Sequence, residues 1–154
     1  MVSSIKNKVE LAGLILPTPP IPGGSYSPVI IRGNIGYVAI QFPIKNGEFH
    51  YQGKLGNELS TSDGYYGMQI CALNALAQIN KYISYDRLDG LNHICAYYQS
   101  AKGWDEAPKV VNGASDLFNQ VLKHKGLHSR TLLGVHNLPK NFGMGLTVTF
   151  TNLP

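Results

Sequence analysis

The sequence predicts an α+β domain in which two helices cover one face of a mixed β-sheet. The first observation is a set of short segments, rich in β-branched and aromatic residues and bounded by turn-forming residues, which indicate strands. The second is a pair of longer segments whose apolar residues recur at helical spacing. Their order along the chain is β-β-α-β-α-β-β, and strands mixed with helices on one side describe an α+β layer.

Length and composition favour one folded domain. The 154 residues fit a single domain over residues 1–154, because typical domains have ~100 to 200 residues. The apolar fraction of 44% and the charged fraction of 14% exclude intrinsic disorder. We assign residues 1–24 to an N-terminal extension that ends in a proline-rich loop, since prolines lack the amide hydrogen that helices and central strands need.

The strands are predicted from turn signals and β-prone composition. Segments 29–32 and 35–40 flank Gly33-Asn34, a dipeptide suited to a two-residue hairpin turn. Three later segments, 91–98, 131–136 and 144–151, supply the remaining strands. Because the helices cover one face of this sheet, we expect oligomerisation to cover the other.

The helices are predicted from their ends and their apolar stripes. Ser60, with Asp63 three residues later, matches a capping box at a helix start. In the second helix Pro108 suits the first turn, and Gly126 suits the position where the helix stops. The apolar positions are Met68, Cys71, Ala72, Ala75, Leu76, Ile79 and Ile83 in the first helical segment and Val111, Ala114, Phe118, Val121 and Leu122 in the second.

Charge and cysteine content narrow the function classes. The net charge is +4 and the basic residues are scattered singly, which does not favour nucleic-acid binding. After Asp116 the chain has no acidic residue, so a positive potential in this part favours anionic ligands. Cys71 and Cys95 match no zinc or redox spacing, and we expect a reduced, cytoplasmic protein without a metal site. We expect neither a signal peptide nor a membrane span.

Several motifs together resemble one family. They are Leu16-Pro17, Gly24-Ser25-Tyr26, Gly33-Asn34, Gly53-Lys54-Leu55-Gly56, the segment 71–77, the segment 110–117 with Asn112-Gly113-Ala114-Ser115, Gly126-Leu127-His128-Ser129-Arg130, Gly134-Val135 and Leu138-Pro139. In this order they cover nearly the whole chain, which resembles the YjgF/RidA (Rid) family and in particular its longer RidA-like members.

The resemblance implies a fold, an assembly and a reaction. It implies a chorismate-mutase-like fold and a homotrimer with clefts between the subunits. It also implies hydrolysis of 2-imino acids, or of their enamine tautomers, to 2-oxo acids and ammonia, without metal or organic cofactor. The expected ligand is therefore a small carboxylate-bearing imino or keto acid.

The resemblance also implies site residues. Arg130 matches the arginine that binds the substrate carboxylate, and its guanidinium has paired donors that suit a carboxylate; the alternative is a surface arginine in an ion pair. Tyr26 would place its ring and hydroxyl in the cleft of an adjoining subunit, or else it packs structurally. Asn112 would shape the cleft by hydrogen bonds, or satisfy backbone groups near a helix start.

Further candidates depend on backbone groups and on a histidine. The backbone of Leu132, close to the arginine, would help to hold the ligand, and Ala39 and Ile40 lie where the cleft-lining segment of the family falls. His128, two residues before Arg130, is either a proton carrier or a structural hydrogen-bonding residue, and we favour the structural role.

Two departures from the family pattern leave the reaction open. Deaminating members typically have Ser-Gly-Gln where this chain has Ala39-Ile40-Gln41, and a glutamate on the last strand where it has Gly145. The leading hypothesis is an enamine or imine deaminase whose activity is reduced by the loss of the glutamate. The alternatives are a specialised enzyme that cleaves a C–C bond or tautomerises an unusual keto or imino acid, and a metabolite-binding trimer without catalysis. RNA cleavage, a label attached to some relatives, is the least favoured.

Overall fold

The computed structural model describes residues 3–154, which form three helices and seven strands. The helices are α1 (Ile5–Leu11), α2 (Thr61–Asn80) and α3 (Ala107–Leu122), and the strands are β1 (Val29–Arg32), β2 (Ile35–Gln41), β3 (Ile44–Lys45), β4 (Glu48–Phe49), β5 (Leu88–Tyr98), β6 (Ser129–Gly134) and β7 (Met144–Asn152). Short 3₁₀ turns at Tyr85–Arg87, Lys123–Gly126 and Pro139–Asn141 complete the secondary structure.

Five strands form one mixed sheet in the order β1-β2-β7-β5-β6, and β3 pairs with β4 in a separate hairpin. Strands β5 and β6 are parallel, whereas the other neighbours in the large sheet are antiparallel. The predicted α+β class and mixed sheet are confirmed, since the five long strands and two long helices follow the predicted order.

Helix α2 begins where its cap was predicted. The Ser60 hydroxyl accepts from the Asp63 amide at 3.0 Å, and the Asp63 carboxylate accepts from the Ser60 amide at 2.9 Å. These two bonds satisfy amide hydrogens that have no partner within the helix, which fixes the first turn. The face of α2 that carries Met68, Cys71 and Leu76 is fully buried.

Helix α3 packs closely against α2 because Gly113 has no side chain. A Cβ atom at Gly113 would collide with the carbonyl oxygen of Tyr65 on α2. The close approach fixes α3 against α2, with Val110, Leu117 and Phe118 in the core. Gly113 thus has a packing role, and it holds its neighbour Asn112 at a defined place on the surface.

Several boundaries differ from the sequence predictions, among them the start of β5, which lies at Leu88 rather than at residue 91. Helix α3 ends at Leu122, before Gly126, because Lys123 adopts a positive φ of 57° and a 3₁₀ turn follows. Strand β6 covers Ser129–Gly134, which places Arg130 within the strand. Strand β2 extends to Gln41.

Two elements were not predicted. Helix α1 lies within the segment assigned to the N-terminal extension, and its Ile5 and Val9 are fully buried in the core. The β3–β4 hairpin turns at Asn46 and Gly47, both of which have positive φ. Neither element changes the fold class, but α1 adds a third helix to the same layer as α2 and α3.

The sheet presents one face to the helices and leaves the other open. In β7 the residues Leu146, Val148 and Phe150 are buried beneath the helices, while Thr147 and Thr149 between them are only half buried. The predicted homotrimer, which would cover this open face, stays a prediction. Within residues 3–154, no helix combines the length and the hydropathy needed to span a bilayer.

Candidate functional site

Arg130 and Asn112, two of the predicted site residues, are in contact. The Arg130 Nη1 group donates to the Asn112 Oδ1 atom at 2.9 Å and to the Ser115 Oγ atom at 3.1 Å. Its Nη2 group is 3.4 Å from the carbonyl oxygen of Pro108. We call Arg130, Asn112, Ser115 and His128 the arginine cluster.

Secondary structure explains why these side chains meet. Pro108, Asn112 and Ser115 are spaced along α3 so that they lie on one helix face. Arg130 is near the start of β6 and pairs in register with Ile94 of β5, so its side chain points towards this face of α3. The helix therefore holds one edge of the guanidinium group through neutral oxygen atoms.

The charge of Arg130 is not neutralised within the described part of the chain. The ion pairs found there join Glu48 to His50 and Glu106 to Lys109, and neither includes Arg130. The ion-pair alternative for Arg130 therefore does not hold for residues 3–154. A guanidinium group fixed by neutral acceptors keeps its full charge and further N–H donors for an anion.

His128 takes part in the arginine cluster as a support. Its Nε2 atom is 2.9 Å from the Ser115 Oγ atom, and its Nδ1 atom is hydrogen-bonded to the Gly126 carbonyl oxygen. Both ring nitrogens therefore have partners, which agrees with the structural role favoured from the sequence. Through Ser115, His128 fixes the hydroxyl that accepts from Arg130.

Tyr26 and Ile40 lie in a second place, a cavity of about 400 Å³ that we call the aromatic cavity. Its walls come from the proline-rich loop, the end of β2 and the 3₁₀ turn before β7. The lining residues are Pro20, Ile21, Pro22, Gly23, Tyr26, Pro28, Ile40, Gln41, Phe42, Ile44, Phe49, Gln78, Pro139, Lys140 and Phe142. The Tyr26 hydroxyl accepts a hydrogen bond from the Gly23 amide at 3.1 Å. The hydrogen of the Tyr26 hydroxyl is therefore available to another acceptor.

A β-bulge sets the position of Ile40. Val38 pairs with Val148 and Gln41 pairs with Leu146, so Ala39 and Ile40 together oppose Thr147. The extra residue turns Ile40 over Gly145, and the Ala39 amide donates to the Pro28 carbonyl oxygen at 2.9 Å. Ala39 therefore holds the start of the hairpin, whereas Ile40 reaches the aromatic cavity.

The arginine cluster and the aromatic cavity are separated within one chain. The aromatic cavity includes the end of β2 and the arginine cluster is on β6, and β7 and β5 lie between these strands. Three strand spacings of ~4.8 Å put the axes of β2 and β6 about 14 Å apart. Leu132 is on the arginine side, where its side chain packs against the core and β6 forms an edge of the sheet. Within residues 3–154 this edge strand has no strand partner on its outer side, so alternate backbone groups can bind a ligand.

Comparisons with known proteins decide the family. The sequence profile described as "YjgF/chorismate mutase-like, putative endoribonuclease" matches residues 6–153. The chain belongs to this family. Among its relatives, Protein TCP17 of Trypanosoma cruzi is 29% identical over 142 residues, which cover 91% of this chain and 88% of that protein.

Solved structures of YjgF-like relatives have the same fold. A protein from Shewanella oneidensis described as a putative endoribonuclease superposes with a TM-score of 0.92 and 28% identity, covering 97% of this chain and 99% of that one. A protein of unknown function from Agrobacterium tumefaciens superposes with a TM-score of 0.88 and 26% identity, covering 96% and 92% of the two chains. These similarities confirm the family and its fold.

Sequence reasoning missed several residues of the candidate site. Ser115 was within a recognised motif, and its helical spacing from Asn112 was a usable signal. Phe42, Phe49 and Phe142 gave no such signal, because Phe142 is far in sequence from the other two and only the fold brings it against them. Among residues 3–154, no group of three His, Cys, Asp or Glu side chains is arranged to hold a metal ion.

Proposed function

We propose that this protein hydrolyses 2-imino acids, or their enamine tautomers, to 2-oxo acids and ammonia, with Arg130 binding the substrate carboxylate. The observation that carries this proposal is the arrangement of Arg130, whose guanidinium group is held by Asn112 and Ser115 through neutral oxygens. A carboxylate that approaches the free donors meets a fixed, uncompensated positive charge.

The reaction needs a bound carboxylate, a water molecule and two proton transfers. Water adds its oxygen to the imine carbon while a proton goes to the nitrogen, and the resulting carbinolamine expels ammonia as the C=O bond forms. Arg130 fixes the carboxylate and so places the imine carbon, which is a contribution of orientation. The Tyr26 hydroxyl, held by the Gly23 amide, is the side-chain donor that we assign to the leaving nitrogen.

The proposal includes a homotrimer, because one chain holds only half of the site. Arg130 is on β6 and the Tyr26 hydroxyl belongs to the aromatic cavity at the end of β2, and β7 and β5 lie between these two strands, whose axes are about 14 Å apart by strand spacing. A heterologous interface between identical chains brings the arginine cluster of one subunit to the aromatic cavity of the next. The open face of the sheet, with Thr147 and Thr149 half buried, is the surface that such an assembly covers.

A second function is favoured by the contact between Ile40 and Gly145. A Cβ atom at Gly145 would be 2.8 Å from the Ile40 Cδ1 atom, so the place of the family glutamate is filled by hydrocarbon. A site without this carboxylate suits a reaction that needs no activated water, such as tautomerisation or C–C cleavage of a keto acid, or binding without turnover. Arg130 would hold the carboxylate in these cases as well.

The test is ammonia release from 2-iminobutanoate, with Arg130→Ala and Arg130→Lys compared with the wild type. We expect a loss of ~10²-fold or more for alanine and a partial loss for lysine, since a misplaced substrate costs this much and lysine lacks the planar fork. Arg32→Ala is the matched control, because Arg32 is on β1 at the opposite edge of the sheet.

Each outcome separates the two functions. Activity in the wild type that falls with Arg130 but not with Arg32 supports imine hydrolysis. A wild type that binds 2-oxobutanoate through Arg130 but releases no ammonia above the spontaneous rate contradicts hydrolysis and favours the second function. Equal rates in the wild type and in Arg130→Ala contradict the carboxylate role itself.

A further inference from the structure

We propose that the aromatic cavity receives an aromatic ring, so that the preferred substrates are 2-imino and 2-oxo acids with aromatic side chains. This inference rests on the proposed function, because it assumes that the substrate carboxylate is held by Arg130. The inference adds the chemical class of the substrate's side chain, which the arginine cluster does not determine.

Three phenylalanine rings in contact with one another form part of the cavity wall. Phe42 and Phe142 are stacked, with centroids 4.9 Å apart and planes 11° from parallel. Phe49 meets Phe142 edge to face, with centroids 5.0 Å apart and planes at 64°. Because aromatic rings prefer offset-stacked or edge-to-face neighbours, this cluster presents faces and edges that suit one more flat ring.

The side-chain amide donors of the two buried glutamines that line the cavity are already engaged. Gln78, which is buried, donates from Nε2 to the Pro20 carbonyl oxygen at 3.0 Å and towards the Gln41 Oε1 atom at 3.4 Å. Gln41, also buried, donates from Nε2 to the Ala39 carbonyl oxygen at 2.9 Å. These amides fix the proline-rich loop and the bulge, so the remaining wall surface favours an apolar guest over a polar one.

Ile40 adds to this apolar character. At the bulge its side chain extends over Gly145 towards Phe42, where the family pattern has a glycine opposite a glutamate. Compared with the family pattern, Ile40 and Gly145 together replace a polar wall with a branched aliphatic one. Lys140, the charged residue among those that line the cavity, is exposed at the rim, so a ring can enter past it.

The size of the cavity excludes a good fit for very small substrates. Its volume of about 400 Å³ is that of roughly a dozen water molecules at about 30 Å³ each. A two-carbon side chain would leave most of this space to water, whereas a ring displaces more of it and contacts the phenylalanine cluster. In a fitted hydrophobic site one methylene changes kcat/KM by about 10- to 200-fold, so the discrimination should be large.

The test compares two keto acids and their imines. We would measure Kd for phenylpyruvate and 2-oxobutanoate by calorimetry, and kcat/KM for the imines generated from phenylalanine and 2-aminobutanoate by an amino-acid oxidase. We expect both quantities to favour the aromatic compound by roughly tenfold or more. Most of the difference between the aromatic and the small substrate should lie in KM and Kd rather than in kcat, because the cavity binds the ring away from the reacting carbon.

Two variants connect the preference to the cavity. Phe49→Ala should reduce the preference to about threefold or less, since it removes the edge-to-face wall. Phe49 is 47% exposed, so its removal leaves the core intact, and Tyr82→Ala is the matched control, because Tyr82 is equally exposed and lies outside the cavity.

The outcomes distinguish this inference from the proposed function. If both ligands bind equally, or 2-oxobutanoate binds better, and the imines are still hydrolysed in an Arg130-dependent way, the inference is wrong and the proposed function stands. If neither ligand binds and neither imine is hydrolysed above the spontaneous rate, both are wrong. A preference that survives Phe49→Ala, or that Tyr82→Ala reduces as much as Phe49→Ala does, would also overturn the assignment to this cavity.

Discussion

Ile40 occupies the space that a side chain at Gly145 would need. A Cβ atom added at Gly145 would be 2.8 Å from the Ile40 Cδ1 atom, 3.1 Å from its Cγ1 atom and 3.0 Å from the Phe42 Cε1 atom. The isoleucine on β2 and a glutamate on β7 therefore cannot both be accommodated without movement. The two departures from the family pattern act as one coupled change.

This coupling predicts a non-additive pair of substitutions. Gly145→Glu alone should lower the free energy of unfolding by about 1–3 kcal/mol, because it overpacks a buried position. In the double variant with Ile40→Gly the loss should be smaller than the sum of the two single losses, by ~0.5 kcal/mol or more. Urea unfolding of the wild type, both single variants and the double variant gives the interaction energy.

The same variants test the role of the missing carboxylate. The double variant should hydrolyse 2-iminobutanoate faster than Ile40→Gly alone, by ~10²-fold if the restored glutamate acts as a general base. Additive stability losses would contradict the packing argument. An unchanged rate in the double variant would show that a carboxylate at this position does not activate water here.

Helix α1 should contribute to stability through Ile5. Its side chain is fully buried (0% exposed), so Ile5→Ala should cost about 2–5 kcal/mol from lost burial and the cavity left behind. Ile15→Ala is the matched control, because Ile15 is 85% exposed and surface changes usually cost less than ~0.5 kcal/mol. Equal losses in the two variants would show that α1 is not part of the cooperative fold.

The missed elements show where local sequence signals are insufficient. The long helix α2 has a capping box and a continuous apolar face, so its start follows from residues close in sequence. Helix α1 has only seven residues, and its buried residues are Ile5 and Val9. Such a short helix is marginal alone and depends on tertiary packing that the sequence does not display.

The small hairpin was missed for a different reason. Asn46 and Gly47 form a dipeptide typical of tight hairpin turns, and both have positive φ. The signal was present, but β3 and β4 have only two residues each, too few for an alternating pattern. This hairpin matters for the site, since it places Phe49 against Phe142.

The candidate site was predictable only in part for a similar reason. Arg130 and Asn112 follow from motifs, and their contact follows from a strand beside a helix. The aromatic cavity depends on residues from Pro20 to Phe142, which the folded loops bring together. No periodic pattern connects such distant residues, so the cavity appears only in the three-dimensional structure.

The contact between the starts of α2 and α3 predicts a pH effect. Glu106 accepts from the Lys109 ammonium group at 2.8 Å and from the Thr61 hydroxyl at 2.9 Å, and these hydrogen bonds, with that of Lys109 the larger cause, lower the pKa of Glu106. Its stabilising contribution is therefore complete above the ordinary glutamate pKa and is lost as the pH falls through the lowered pKa of the folded state.

We expect Trp104 to report this titration. Its Nε1 atom donates to the Thr61 Oγ1 atom at 3.0 Å, and it is the single tryptophan of the chain. We expect its fluorescence to change in acid, below the ordinary pKa range of glutamate, and the change to be absent in Glu106→Gln. Glu48→Gln is the control and should keep it. A transition that persists in Glu106→Gln would assign it to another group.

The central claim is that the arginine cluster of one chain and the aromatic cavity of another form one site. Arg130→Ala and Tyr26→Ala, each with a different affinity tag, would be co-expressed and purified on both tags. We expect each variant alone to lose ~10²-fold of the activity. In a cyclic trimer containing both variants, one cleft in three is intact, so the doubly purified protein should regain about a third of the wild-type rate of imine hydrolysis. Activity no higher than that of either variant alone would contradict a site shared between chains.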